Sequence, residues 1–314
     1  GVMSQGIKIE VVKKINALYG NIYSHDNVML TATHTHVGSG GFSHYSLYEL
    51  ASADWTGLTG GYSSENFNAI VNGVVASIQR AHNNLAPGSL ELVQGELDGA
   101  TKNRSVAAYD ANDDAGSFAK NTNNTMSVLK FTKTNGGEVG MINWFSAHPT
   151  SFSNNFTLLS GDNKGYAQHR FEKHKGTDFS ASETFVAAFA NSDEGDTVVV
   201  EGNANSAPGY QGSSDEFANT VAAGTRQFDK GLALYDQAGH SLAGGIDYRH
   251  RWADFENYTV SGTYTGNGNQ ALCSAARGYS FAAGGENGPS NIDPTIFEGI
   301  TTDNVGDVSS TIDF

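Results

Sequence analysis

The stretch that decides the fold is Gly140-Met141-Ile142-Asn143-Trp144-Phe145-Ser146-Ala147-His148-Pro149. Residues 138–147 have the apolar character of a buried strand. Pro149 forces the chain into a turn, because proline lacks the amide hydrogen that a strand needs. A histidine at the end of such a strand lies where α/β folds place their sites. The stretch therefore predicts a central strand and a candidate functional histidine, His148.

Helical and strand-like patterns alternate along the rest of the chain. Apolar residues at helical spacing predict helices that begin near residue 7, at Ser64 and near Ser214. The predicted apolar stripe of the third helix consists of Phe217, Val221, Phe228, Leu232 and Tyr235. Further strand-like runs cover residues 90–97, 127–132, 184–190 and 254–263. This interleaving predicts an α/β fold in which mixed β-sheets are layered with flanking helices.

Composition restricts the classes of function that the chain can have. The 314 residues are 38% hydrophobic, which is enough for a sizeable core in one large domain or two. The net charge of −15 repels phosphate backbones, so nucleic acid is not an expected partner. No stretch approaches the roughly 20 consecutive apolar residues of a membrane-spanning helix.

Two histidines follow another strand-like run near the start of the chain. Residues 27–32 alternate in polarity, which predicts a strand. Continuing that alternation puts His34 and His36 on one face, about 6.5–7 Å apart along the backbone. Two imidazoles on one face before a glycine-rich loop are a suitable start for a metal site. Polar residues at the point where a strand meets solvent would give the same pattern, so the pair alone does not decide between a metal site and a solvent-exposed strand end.

His148 and Arg104 complete the set of candidate residues. Together with His34 and His36, His148 suggests a multi-histidine zinc centre, because imidazole is a common zinc ligand. Arg104 lies in Asn103-Arg104-Ser105. Its guanidinium fork can hold a substrate oxygen or a carboxylate. On spacing alone, a surface arginine is the simpler interpretation.

Five segments, taken together, resemble the neutral ceramidase family. They are NVMLTATHTH (27–36), the run to His148-Pro149, DNKGYA (162–167), FVAAFA (185–190) and GYSFAAG (278–284). They occur in the order of the family and with its approximate spacing, and they cover nearly the whole chain. The chain is therefore identified as a member of this family, similar to the central part of its catalytic domain.

The resemblance implies an activity and a role for each candidate residue. The family hydrolyses the N-acyl amide of ceramide to sphingosine and a fatty acid, and it uses one zinc ion, Zn²⁺, deep in a pocket. By their match to the family motifs, His34 and His148 would be zinc ligands. His36 would lie beside the metal and contact the reacting centre, and Arg104 would position the substrate or the nucleophile. Zinc polarises an amide carbonyl or acidifies bound water, and a neighbouring imidazole moves protons.

The chain departs from the family at the catalytic serine. In the family, the FVAAFA strand leads to a Gly-Asp pair and then to that serine, whereas an ungapped match puts Val198 there. Valine has no oxygen that can attack a carbonyl carbon. Two alternatives remain open. An insertion would make Ser206 the displaced serine, and Ser309 copies the motif but follows residues 278–284, outside the family order.

The resemblance also implies that residues 1–314 form a single, partial catalytic domain. The later part of the family, which supplies further zinc ligands and an immunoglobulin-like domain, would then be absent. The expected partners are a ceramide-like lipid, a membrane surface contacted through the missing parts, and other copies in a homo-oligomer or assembly. Four Asn-x-Ser/Thr sequons are compatible with a secreted or cell-surface glycoprotein: Asn103, Asn123, Asn155 and Asn257.

Two functions follow as alternatives. The first is a zinc-dependent amidohydrolase that cleaves ceramide, and the second is a catalytically inactive, secreted glycoprotein with a structural or assembly role. The histidines and Arg104 favour the first, and Val198 favours the second. A serine oxygen within about 3 Å of the reacting atom would discriminate between them.

Overall fold

Helices and strands alternate in the computed structural model, which describes residues 2–45, 61–153, 156–202, 214–273, 284–285 and 288–289. The helices are α1 (Gln5–Tyr19), α2 (Ser64–Asn83), α3 (Val106–Asp110), α4 (Asp162–His174), α5 (Glu216–Tyr235) and α6 (Gly262–Thr265). The strands are β1 (Gly88–Glu96), β2 (Thr101–Asn103), β3 (Thr125–Lys133), β4 (Glu138–Trp144), β5 (Val186–Ala190), β6 (Thr197–Val199), β7 (His240–Leu242), β8 (Thr259–Val260), β9 (Gln270–Ala271), β10 (Gly284–Gly285) and β11 (Gly288–Pro289). These interleaved helices and mixed sheets confirm the predicted α/β fold class.

The chain divides into two compact units, residues 1–247 and 248–314. The first unit is built on a five-stranded sheet with the strand order β5-β4-β3-β1-β7. Neighbouring strands are antiparallel except β4 and β5, which are parallel and end together at Trp144 and Ala190. The segments that follow these two residues therefore leave the sheet side by side, at the edge where α/β folds place their sites.

Helices α4 and α5 cover one face of this sheet and enclose the larger apolar core. Phe171 of α4 is fully buried there. Its ring lies 5.8 Å from that of Phe185, 6.1 Å from that of Phe189 and 5.9 Å from that of Phe228. Full burial of such a side chain stabilises a fold by about 1.5–3 kcal/mol, so this core anchors both helices on the sheet.

Helices α1 and α2 form a second apolar cluster. Its buried members are Ile7, Val11, Val12, Ile15, Val28, Phe67, Val71 and Val75. The start of α2 is capped by Ser63, whose hydroxyl accepts a hydrogen bond from the backbone amide of Asn66 at 3.2 Å. Such a cap satisfies one of the amides that a helix leaves unpaired at its N-terminus.

Most of the predicted elements are present. Helices α1, α2 and α5 and strands β1, β3, β4 and β5 lie at the predicted places, with small differences at their ends. Residues 27–32 are an exception, because they form no strand within the described part of the chain. Residues 254–263 are another: only Thr259–Val260 is a strand, and helix α6 begins at Gly262.

The predicted apolar stripe of α5 is correct only in its second half. Phe228 and Tyr235 are buried, but Phe217 and Val221 are 59% and 42% exposed. The part of the helix before Phe228 buries polar and small side chains instead: Asn219, Thr220, Ala223, Gly224 and Gln227. The periodicity of large apolar residues therefore gives the wrong inward face for this part.

The described residues of the second unit include two short antiparallel pairs, β8 with β9 and β10 with β11. Between β8 and β9, α6 begins with a cap from Ser261, whose hydroxyl accepts from the amide of Thr263. The prediction that residues 1–314 form one partial catalytic domain stays a prediction. No helix among the described residues combines the length and apolarity that a membrane span requires.

Candidate metal centre

Three histidines from distant parts of the sequence meet in the first unit. His34 and His36 lie between α1 and α2, and His148 follows β4. The ring centroids are 4.9 Å apart for His34 and His36, 4.9 Å for His34 and His148, and 5.4 Å for His36 and His148. One ligand atom from each residue lies within 4.8 Å of those from the other two. The structure thus brings together the three histidines that the sequence singles out.

The way in which His34 and His36 meet differs from the prediction. His34 has a left-handed backbone, with φ of 67°, which interrupts the period-two alternation of an extended strand. Two hydrogen bonds then hold the segment after it. Thr35 Oγ1 donates to the carbonyl of Ser160 at 2.8 Å, and the amide of Ser160 donates to the carbonyl of Val37 at 3.0 Å. A turn, rather than a strand, therefore directs the two rings to one place.

His148 is fixed by the neighbouring β6 strand. Its backbone amide donates to the carbonyl of Thr197 at 2.9 Å, and its ring Nδ1 lies 3.2 Å from the same oxygen. An imidazole that donates from Nδ1 keeps the lone pair of Nε2 for a metal. Burial, with the nearby Arg104 charge, lowers the pKa of His148 to about 3, so the ring is neutral at neutral pH.

His36 is also neutral near pH 7. The residue as a whole remains exposed, but the protein around its ring desolvates the imidazolium. This desolvation, with the charges of His34 and Arg104, lowers the pKa of His36 to about 4. A neutral imidazole can bind a metal or accept a proton, so both roles are open to it.

Arg104 lies at the end of β2, next to β6. Its backbone amide donates to the carbonyl of Asp196 at 2.9 Å, and its Nε donates to the carboxylate of the same residue at 3.2 Å. Its charge contributes to the lowered pKa values of His36 and His148. Arg104 therefore stands near the histidines, in a defined ion pair, rather than as an isolated surface arginine.

Val198 lies directly beside the candidate centre. It pairs with Lys102 in the β2–β6 ladder, forms a bridge to His148, and is completely buried. The side chain next to His148 at this position is therefore apolar. Ser206, Ser309, the sequon at Asn155 and residues 278–283 of the GYSFAAG segment lie outside the described residues.

Two residues that the sequence analysis missed connect the histidine segments. Asn191 follows β5; its Nδ2 donates to the carbonyl of Thr33 at 2.7 Å, and its Oδ1 accepts from the amide of Ala147 at 3.2 Å. Thr33 directly precedes His34, and Ala147 directly precedes His148. One amide group thus ties together the two backbones that carry these histidines.

Glu194 is the second missed residue. Its Oε1 lies 3.6 Å from Nδ1 of His34. Burial raises the pKa of Glu194 to about 7, against the opposing charges of Lys164 and Arg104. A signal for both residues was available: they follow β5, which ends beside β4, and sites lie beyond the ends of parallel strands.

The first turn of α4, Asp162–Asn163–Lys164, is polar although it is buried, and we call it the polar turn. Asn163 Nδ2 donates to the carbonyl of His148 at 3.3 Å. Asp162 accepts from the amides of Ser151 and Phe152, both at 3.2 Å. These bonds hold the loop that follows His148.

Lys164 continues the polar turn toward the sheet. Its Nζ donates to the carbonyl of Phe145 at 2.7 Å and to that of Ala190 at 3.1 Å. It thereby joins the segments that leave β4 and β5. Burial lowers the pKa of Lys164 to about 7, and the charge of Glu194 partly opposes this shift.

The donor set fits a zinc ion. Imidazole nitrogens are common zinc ligands, and the neutral state of His36 and His148 leaves lone pairs available. Zinc–nitrogen bonds of about 2.0–2.1 Å require ligand atoms about 4 Å apart or less, and the atoms of the three groups lie within 4.8 Å of one another, close to that limit. Such a site can polarise a carbonyl, and an adjacent neutral imidazole can accept a proton.

Known proteins resemble the chain in sequence and in structure. The sequence model for the N-terminal part of neutral/alkaline non-lysosomal ceramidases matches residues 1–312. Neutral ceramidase from Pseudomonas aeruginosa is 40% identical over 92% of the chain, and neutral ceramidase B from Dictyostelium discoideum is 36% identical over 91%. The chain covers 41% and 42% of these two relatives.

Two solved structures have the same fold. The crystal structure of neutral ceramidase from Pseudomonas aeruginosa aligns with a TM-score of 0.76 and 39% identity, over 88% of this chain and 42% of that one. A ceramidase complexed with C2 aligns with a TM-score of 0.80 and 37% identity, over 98% of this chain and 45% of that one. The chain therefore belongs to the neutral/alkaline non-lysosomal ceramidase family and spans less than half the length of these relatives.

Proposed function

We propose that the chain forms part of a zinc-dependent amidohydrolase that cleaves the N-acyl amide of ceramide to sphingosine and a fatty acid. The observation that carries this proposal is the convergence of His34, His36 and His148, with ring centroids 4.9–5.4 Å apart. Membership of the ceramidase family supports ceramide as the substrate class. The related ceramidase that was solved as a complex with C2 adds support, because that protein binds a ligand and shares the fold of this chain over 45% of its own length.

The residues that would hold the metal are His34 and His148, with the remaining ligands supplied from elsewhere in the protein. When bound, a zinc ion supplies polarisation of the amide carbonyl and acidification of water. His148 is prepared for this role because its Nδ1 faces the Thr197 carbonyl, which leaves Nε2 as the free lone pair.

His36 and Arg104 would act on the substrate. The low pKa of His36 keeps its ring neutral, so that it can accept a proton in one step and return it to the leaving amine in the next. The guanidinium of Arg104, held by Asp196, would hydrogen-bond a substrate oxygen. Both roles require contact with the reacting groups rather than with the metal.

The test combines zinc content with hydrolysis of a short-chain ceramide by the full-length protein. We expect His34→Ala and His148→Ala to lose both zinc and turnover, because each removes an imidazole from the cluster. His240→Ala, which alters an exposed histidine in β7, is the control and should retain both. Wild-type protein that binds no zinc would refute the metal site.

A second candidate function is a catalytically inactive family member with a structural or assembly role. The buried Val198 beside His148 favours it, since this side chain cannot supply a nucleophilic oxygen. Zinc binding without turnover in the wild type, and a gain of turnover in Val198→Ser, would identify this position as the cause. Secretion, glycosylation at the sequons, membrane contact and oligomerisation are further proposals.

A further inference from the structure

We propose that Glu194 is a positioning residue, which orients the ring of His34 and keeps its proton on Nδ1, so that Nε2 becomes the metal ligand. This inference rests on the metal site of the proposed function. It assigns a role to a carboxylate that the resemblance to the family does not single out. The geometry around residues 191–197 carries it.

Glu194 lies next to His34 in the structure. Oε1 of Glu194 lies 3.6 Å from Nδ1 of His34, and both side chains are mostly buried, with 20% and 31% of their surfaces exposed. Oε2 of Glu194 is buried and has no hydrogen-bond partner among the described residues. A carboxylate in this position attracts the Nδ1 proton of a neighbouring imidazole and directs the ring by doing so.

The second observation is the equivalent arrangement at His148. There the Nδ1 atom lies 3.2 Å from the carbonyl oxygen of Thr197, three residues after Glu194. One turn supplies both acceptors and is closed by a hydrogen bond from the amide of Thr197 to the carbonyl of Glu194 at 2.5 Å. Both candidate ligands would then present the same nitrogen, Nε2, toward a shared metal.

The third observation is that the same loop fixes the histidine backbones. Asn191 binds the residue before His34 and the residue before His148. The hydrogen bonds of Lys164 go to the carbonyls of Phe145 and Ala190 and not to the Glu194 carboxylate, although the two charges lie close enough to interact. The loop therefore sets the backbones through Asn191 and the ring orientations through Glu194 and Thr197.

The experiment compares Glu194→Ala, Glu194→Gln and a control, Glu201→Ala, in the full chain. Glu201 is a suitable control because its side chain is 14% exposed and pairs with Arg226 instead of a histidine. One readout is zinc affinity by competition with a chromogenic chelator. The other is the tautomer of His34 in the metal-free protein, from ¹⁵N ring chemical shifts assigned by their loss in His34→Ala.

We expect Glu194→Ala to weaken zinc binding by about 10- to 100-fold, the usual effect of removing a partner of a ligating histidine. Glu194→Gln retains an acceptor oxygen and should recover part of this loss, and Glu201→Ala should match the wild type. The wild type should carry the His34 proton on Nδ1, and Glu194→Ala should shift the proton toward Nε2.

Two results would overturn the positioning role: an unchanged affinity and tautomer in Glu194→Ala, or an Nε2–H tautomer of His34 in the wild type. A wild type that binds no zinc but has His34 protonated on Nδ1, with the shift in Glu194→Ala, would refute the metal site and still support the role of Glu194. The two hypotheses can therefore fail separately.

Discussion

The two ends of helix α4 are both buried, but they are buried in different ways. Toward its C-terminal end, Phe171 packs among aromatic rings in the core under the sheet. At its N-terminal end, the polar turn binds the backbone carbonyl of His148 and the carbonyls of Phe145 and Ala190 at the ends of β4 and β5. Apolar burial is non-directional and gives stability, whereas hydrogen bonds are satisfied in one arrangement only and give position.

The largest effect is expected for Phe171→Ala at the apolar end. Loss of this fully buried ring should lower the free energy of unfolding by about 3–5 kcal/mol, because it leaves a cavity. Zinc affinity of the molecules that remain folded should not change. Urea denaturation followed by circular dichroism, with Phe179→Ala as the exposed control, measures the first quantity. A large loss of zinc affinity would mean that the apolar end of α4 affects the metal site as well as stability.

The second-largest expected effect is a dependence of stability on pH, which arises from Lys164. Its pKa is about 7 in the folded protein and near 10.5 in the unfolded chain, so the unfolded chain binds more protons between these values. Stability should therefore rise with pH from about 7 toward 10.5, with a slope of up to about 1.4 kcal/mol per pH unit from this group, and stay constant below that window.

Lys164→Met should remove this slope. The comparison is best made between pH 8 and 10, where the carboxyl of Glu194, with a pKa of about 7, is already ionised. Lys13→Met is the control, because Lys13 lies on the surface with 72% of its side chain exposed. Equal slopes in the wild type and Lys164→Met would show that the ammonium is not held in an apolar setting.

Of the three changes, Asn163→Ala is expected to have the smallest effect on stability and a larger effect on zinc affinity. The change removes the donor to the His148 carbonyl and the acceptor of Gln227, and it should lower stability by about 1–3 kcal/mol. Zinc affinity should fall as well, since the His148 backbone loses a support. Asn135→Ala, in an exposed turn, serves as the control for both measurements. A fall in stability without a fall in affinity would contradict a positional role for the polar turn.

The difference between apolar and polar burial also explains how far the sequence predicts the fold. Periodic apolar residues identify α1, α2, α5 and four strands of the main sheet, because these elements bury large apolar side chains. The pattern does not predict α4, whose buried face includes Asp162, Asn163, Lys164 and Glu172. It also predicts a strand over residues 27–32, where the alternation is real but the described residues provide no pairing strand.

The sequence identifies the clustered histidines through their motifs, and it does not identify residues whose contacts depend on the fold. His34, His36 and His148 are recognisable because they lie in motifs that resemble the family and because imidazole is a common metal ligand, and the structure places them together. Their individual roles and that of Arg104 stay predictions. Asn191 and Glu194 lie in a loop without periodicity, and their contacts to the histidine segments depend on where β5 lies beside β4 in the folded protein.

The bond from Asn191 to Thr33 also bears on the order of folding. It joins residues 158 positions apart, and Asn191 directly follows β5, which pairs in parallel with β4. Contacts of long sequence separation form late, because the chain first loses the entropy of the loops that they close. The histidine cluster is therefore expected to be among the last parts of the first unit to assemble. A ligand that binds only the assembled cluster would report that folding is complete, and it would stabilise that end state alone.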